Sequence, residues 1–123
     1  DWRQSYSRME KLRDYTLQKL SGLVGVEVNS PVEGLPYLLN FSALGIRSET
    51  MLHFLAQRGI YVSSGSACAK GKQSHVLKAA GLPDSRISSA IRVSFSRENT
   101  ERDADALAEG VREGLACLAR ARR

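Results

Sequence analysis

Tyr61-Val62-Ser63-Ser64-Gly65-Ser66-Ala67-Cys68-Ala69-Lys70-Gly71 is the stretch from which the rest of the chain can be read. It leaves a short apolar run, Ile60 to Val62, and enters small residues around one cysteine. A core cysteine usually sits among bulky apolar neighbours. Cys68 instead has serine, alanine and glycine beside it, with Lys70, Lys72 and then His75 beyond. Glycine and serine let the backbone bend. Nearby cations favour the thiolate, which is the nucleophilic form. The composition reads as a reactive thiol on a mobile loop; the plainer reading is a small cysteine in a turn.

The bulk properties set bounds. A chain of 123 residues suits one domain, 1–123, with one modest core. With 42% hydrophobic and 25% charged residues it should be globular. No apolar run approaches the ~20 residues needed to cross a bilayer, and the start shows no signal-peptide pattern. Two cysteines, Cys68 and Cys117, are too few for a disulfide scaffold, so a cytoplasmic location is expected. The net charge of +5 raises the question of nucleic acid. The cations are scattered, however, and no basic run is interleaved with aromatic residues as a single-strand binder requires. Neither nucleic acid nor membrane is expected as a partner. A metal site from Cys68, His75 and Cys117 lacks any recognised ligand spacing. Cys117 reads as a packing or surface residue, His75 as structural, and His53 as mid-helix and partly buried.

Taken in order, residues 3 to 21 form a helix on the Tyr6, Met9, Leu12, Thr16, Leu20 stripe. Val24, Val26 and Val28 alternate as a half-buried strand, and two prolines with Gly34 make a turn before a second, central strand at Tyr37 to Phe41. Ser48 caps a helix to about Gln57, with Met51, Leu52 and Leu55 inward. Ile60 to Val62 is a third strand. Ser74 caps a short helix, His75 to Ala80, closed by Gly81. Asp84 to Ala90 is irregular. Ile91, Val93 and Phe95 mark a fourth strand. Thr100 caps a last helix towards Arg120, with Ala104, Leu107, Val111, Leu115 and Leu118 as its buried stripe. The order α-β-β-α-β-α-β-α predicts an α+β fold, a small mixed or antiparallel sheet of three to four strands covered by helices. So small a sheet expects a partner on one face.

Three strings now stand together: Ser63 to Cys68, then His75-Val76-Leu77-Lys78-Ala79-Ala80-Gly81-Leu82, then Ile91-Arg92-Val93-Ser94-Phe95-Ser96-Arg97-Glu98-Asn99-Thr100. Together they resemble the C-terminal small domain of cysteine desulfurases, pyridoxal-phosphate enzymes of the class V aminotransferase group. The resemblance implies the corresponding small-domain fold. It implies that Cys68 is the catalytic nucleophile, attacking the sulfur of substrate L-cysteine held on pyridoxal phosphate and leaving alanine and an enzyme persulfide. It implies that Arg92 binds the substrate carboxylate and that Ser63 to Ala67 belong to the loop carrying the thiol. Lys70 and Lys72 suit that role, since a thiol attacking sulfur works best with a pKa near ambient pH. Arg92 suits its role because a guanidinium offers a carboxylate two parallel hydrogen bonds. The apolar alternation of its strand also forces it away from the core.

The resemblance implies as much about what lies elsewhere. Its Schiff-base lysine and cofactor-phosphate contacts belong to a large N-terminal domain, and Lys11, Lys19, Lys70, Lys72 and Lys78 match none of that motif. The chain alone is therefore expected to be inactive, with no cofactor-binding residue and no metal ligand of its own. Its expected partners are the large domain and a sulfur-acceptor or scaffold protein of iron–sulfur cluster, thiocofactor or tRNA-thiolation pathways. Two departures stand out. The stretch from Cys68 to Ser74 is slightly shorter than in many relatives, and Ser94-Phe95-Ser96 stands where the family often has Ser-Leu-Gly. The alternatives are a stand-alone persulfide carrier or interaction module, and a related pyridoxal-phosphate lyase or selenium enzyme.

Overall fold

The computed structural model describes residues 2–29, 38–65, 81, 83–96 and 98–118. Along the chain these form α1 (Trp2–Ser21), β1 (Val26–Val28), β2 (Leu38–Ala43), α2 (Ser48–Ala56), β3 (Ser63–Ser64), α3 (Asp84–Ser88), β4 (Ala90–Ser94) and α4 (Glu101–Cys117). The strands make one sheet in the order β1-β2-β4-β3, with every pairing antiparallel. This is the α+β arrangement expected, with β2 in the interior. Among the described residues no helix is long and apolar enough to cross a membrane.

Alternation fixes the two faces of the sheet. Leu39, Phe41 and Ala43 of β2 are buried on one face, and the register sets Leu39 against Val93 and Phe41 against Ile91. This apolar face meets α1 through Leu12 and Leu20, α2 through Met51, Phe54 and Leu55, and α4 through Ala104, Leu107, Val111 and Leu115. The other face carries Asn40 and Ser42, whose cross-strand partners are Arg92 and Ala90.

Helix ends follow local chemistry. Asp103 accepts the Thr100 N–H at 2.9 Å, closing the capping box that starts α4. Gly59, at φ 78°, turns the chain out of α2. Where α4 passes α2, Gly110 and Gly114 leave room for its neighbours. A Cβ at Gly110 would lie 2.8 Å from Leu55 Cδ2 and 2.9 Å from Ile60 Cδ1.

Several expectations are corrected. The first strand begins at Val26, because Gly25 at φ 96° turns the chain and leaves Val24 95% exposed. Ser48 is the first residue of α2; the N-cap position is Arg47, and it makes no side-chain cap bond. Phe54 joins Met51 and Leu55 inside, while Leu52 is only partly buried. His53 is exposed, because it stands off the face defined by Met51, Phe54 and Leu55. Ile60 to Val62 is not strand: the Ile60 N–H is still committed to the Leu55 carbonyl at 2.9 Å. The third strand is Ser63–Ser64 instead. Residues 84–88 are helical, with Arg86 and Ile87 N–H groups bonded to the Pro83 carbonyl. The expected helix His75 to Ala80 lies outside the described residues.

α1 and α4 are also joined by a polar contact. The Tyr15 hydroxyl donates to Asp105 at 2.7 Å, and Lys19 Nζ lies 3.3 Å from the same carboxylate. The hydrogen bond from Tyr15, ahead of Lys19, holds the Asp105 carboxyl below the usual carboxylate range, while the bond to Asp105 raises both Tyr15 and Lys19. Asp105 therefore adds stability above the ordinary aspartate pKa of about 3.9, lost as pH falls through its depressed value. Tyr15 and Lys19 add stability that is lost as pH rises through their raised values.

Two outcomes are expected. Asp105→Asn should flatten both limbs of the stability–pH profile measured by thermal denaturation. Gly110→Ala should gain about 1 kcal/mol of helix propensity against ~1–3 kcal/mol of overpacking. The net result should be a destabilisation of about 1 kcal/mol in urea unfolding.

Candidate active site

Because Ile91 and Val93 turn towards the helices, Arg92 stands on the other face of the sheet. The register gives it Asn40 of β2 on one side and Ser63 of β3 on the other. Just past β1, the Asn29 N–H bonds the Asn40 carbonyl at 2.7 Å, extending the ladder by one residue. Asn29, Asn40, Arg92 and Ser63 thus form one polar row across all four strands.

The β1 end of this row is held by a buried network. Asn29 and Asn40 are 7% and 8% exposed. Arg86 of α3 donates from Nη2 and Nε to Asn29 Oδ1 at 2.6 and 3.1 Å, and from Nη2 to the Val28 carbonyl at 3.1 Å. Asn29 Nδ2 donates in turn to Asn40 Oδ1 at 2.8 Å and to Ser42 Oγ at 2.9 Å. The Ser42 hydroxyl returns to the Arg86 carbonyl at 2.6 Å. Burial strengthens such a network and makes each unpaired member costly.

At the Ser63 end the chain is anchored. Ser63 and Ser64 pair with Arg92 and Ile91, and the Gly65 N–H continues the ladder to the Ala90 carbonyl at 2.8 Å. Ser64 Oγ lies 3.2 Å from Ser48 Oγ at the start of α2. Residues 63–65 are therefore part of the sheet and not of a loose carrier loop, which corrects the start expected for that loop. Cys68 follows Gly65 by three residues. Cys68, Lys70, Lys72 and His75 lie outside the described residues.

Arg92 has one property that points to a ligand. Its Nε is buried and has no hydrogen-bond partner among the described residues. Leaving a buried donor unpaired costs ~1–3 kcal/mol, more when it belongs to a charged group. A carboxylate laid along the guanidinium would offset that cost through two parallel charge-assisted bonds. Arg13 Nε is also unpaired, but Arg13 Nη2 reaches Asp14 at 3.2 Å.

The family model for Aminotransferase class-V matches residues 1–107. The chain belongs to the class V aminotransferase family. Over 104 residues it is 38% identical to the NifS/IcsS protein homolog of Lactobacillus delbrueckii subsp. bulgaricus, a match covering 81% of this chain and 26% of that protein. It is 42% identical over 89 residues to the cysteine desulfurase IscS of Clostridium botulinum, covering 68% of this chain and 22% of the relative. A solved structure titled as a NifS-like protein superposes with a TM-score of 0.77 at 33% identity, covering 94% of this chain and 29% of that one. The chain thus spans about a quarter of the length of the proteins it matches.

Class V aminotransferases depend on pyridoxal phosphate. The described lysines, Lys11 and Lys19, both lie in α1, on the helix side of the sheet. On the face opposite α1, α2 and α4 the Asn29, Asn40 and Ser42 side chains are buried in their own network, which leaves the partly buried Arg92 guanidinium as the group that fits a carboxylate. Among the described residues that face carries no lysine.

The network of Asn29, Asn40, Ser42 and Arg86 was not anticipated from sequence. Its signal was the alternation of Asn40 and Ser42 with Leu39, Phe41 and Ala43, which marks β2 as two-faced. Among the described residues no cluster of His, Cys, Asp and Glu could hold a metal ion. Cys117 is exposed on α4, across the sheet from Arg92, as a surface role requires. Cys117→Ser should therefore change stability by no more than about 0.5 kcal/mol, measured by urea unfolding.

Proposed function

We propose that this chain is the thiol-bearing small domain of a cysteine desulfurase, with the cofactor-holding domain supplied by residues outside this sequence. One observation carries the reading. Arg92 stands on the face opposite α1, α2 and α4, its buried Nε has no hydrogen-bond partner among the described residues, and it is in register with Ser63, five positions before Cys68 in the sequence.

In this reading Arg92 grips the α-carboxylate of cysteine and aligns its side chain with Cys68. When bound, pyridoxal phosphate supplies the electron sink that lets the carbon–sulfur bond break. The Cys68 thiolate attacks the substrate sulfur. A sulfur–sulfur bond forms as the carbon–sulfur bond breaks, and the carbon takes up a proton, leaving alanine. The outer sulfur then passes to an acceptor thiol on a partner protein by the same exchange chemistry. The names of the relatives favour this over a carrier working alone. A thiol of this kind needs a reducing compartment, so the cytoplasm is the proposed location.

The test is steady-state turnover of cysteine by the full-length enzyme, with alanine and sulfide both measured. Cys68→Ser should lower kcat by at least ~100-fold. Arg92→Lys keeps the charge and loses the fork; it should raise KM for cysteine about tenfold, in line with loss of ~1.4 kcal/mol of binding. Undiminished alanine release from Cys68→Ser would refute the assignment.

A further inference from the structure

The buried network has a direction. Arg86 carries only donors, so Asn29 must present its oxygen to Arg86 and its NH2 to Asn40. Asn40 must then present its oxygen to Asn29 and its NH2 outward along the row. That NH2 reaches the Gly65 carbonyl at a long 3.5 Å. The contact is tight in another respect. A Cβ on residue 65 would sit 2.7 Å from Asn40 Nδ2 and 3.1 Å from the Ala90 Cβ, so only glycine fits between them. The Gly65 N–H is meanwhile bonded to the Ala90 carbonyl at 2.8 Å. Gly65 is thus clasped between β2 and β4, three residues before Cys68, and the side chain that clasps it belongs to the cross-strand neighbour of Arg92.

We infer that Asn40 is a positioning residue: it fixes the root of the thiol-bearing segment at Gly65 relative to Arg92. The inference rests on the desulfurase reading above. Asn40 needs no contact with either reacting sulfur for this role, since its amide reaches the Gly65 carbonyl. It acts through Gly65, with its own orientation dictated by Arg86 through Asn29. One side chain thereby sets the spacing between the carboxylate grip and the point from which the thiol is delivered. Misplacement of a reacting group by about 1 Å can cost ~100-fold in rate.

The test is a double-mutant cycle in the full-length enzyme with Asn40→Ala, Gly65→Ala and both together. Each is read as kcat and KM for cysteine and as melting temperature. Gly65→Ala alone should lower kcat about 10- to 100-fold with KM held within about twofold, since the thiol is misplaced and Arg92 is not. Asn40→Ala should lower kcat less. The double variant should recover about tenfold in kcat over Gly65→Ala, because removing the amide makes room for the new methyl group. A purely structural clasp would move the melting temperature and leave kcat per folded molecule unchanged. Additive losses in kcat, or a wild-type kcat in Gly65→Ala, would overturn the inference while the wild-type enzyme still turned over cysteine. A wild-type enzyme that releases no alanine would bring down the desulfurase reading, and this inference with it.

Discussion

The pairing of β2 with β4 is the constraint on which the rest of the structure depends. Its register sets Leu39 on Val93 and Phe41 on Ile91, and by the same count sets Asn40 beside Arg92. The first pair of contacts makes the core that three helices cover. The second makes the polar face. One set of backbone hydrogen bonds therefore fixes stability and site together, because side chains on a strand alternate with a period of two.

The two sides of the sheet answer different needs. On the helix side, Leu39, Phe41 and Ile91 are fully buried, and the close approach at Gly110 and Gly114 lets α4 settle against α2. Large apolar residues in such positions contribute ~3–5 kcal/mol each for aromatics when truncated to alanine. On the other side the Arg92 guanidinium has a buried donor with no partner among the described residues. That is a cost to the fold, and it is justified if a carboxylate is what the position is for. The polar network from Arg86 to Asn40 spares its own members this cost by satisfying them internally.

Much of this was legible in the sequence where one short period decided it. Ile91, Val93 and Phe95 were enough to aim Arg92 away from the core, and the stripes of α1 and α4 were enough to place those helices. Legibility failed where a residue's fate hung on a distant partner. Ile60 to Val62 has the composition of a strand, yet its first N–H is taken by the end of α2, so pairing starts only at Ser63. Asn29 and Arg86 stand 57 positions apart, and no local pattern announces that they meet. His53 was misplaced because a short helix gives few residues from which to fix its buried face.

The central position of β4 has a consequence for how this chain can change over time. A strand bonded on both edges cannot gain or lose a single residue without either bulging out of its ladder or turning itself over. Deleting one residue ahead of Arg92 would drive the guanidinium into oil and carry Ile91 over to the polar side, into the place of Ala90. Side chains on this strand are free to drift within their type, but its length is frozen, and insertions and deletions must find their place in the connections instead.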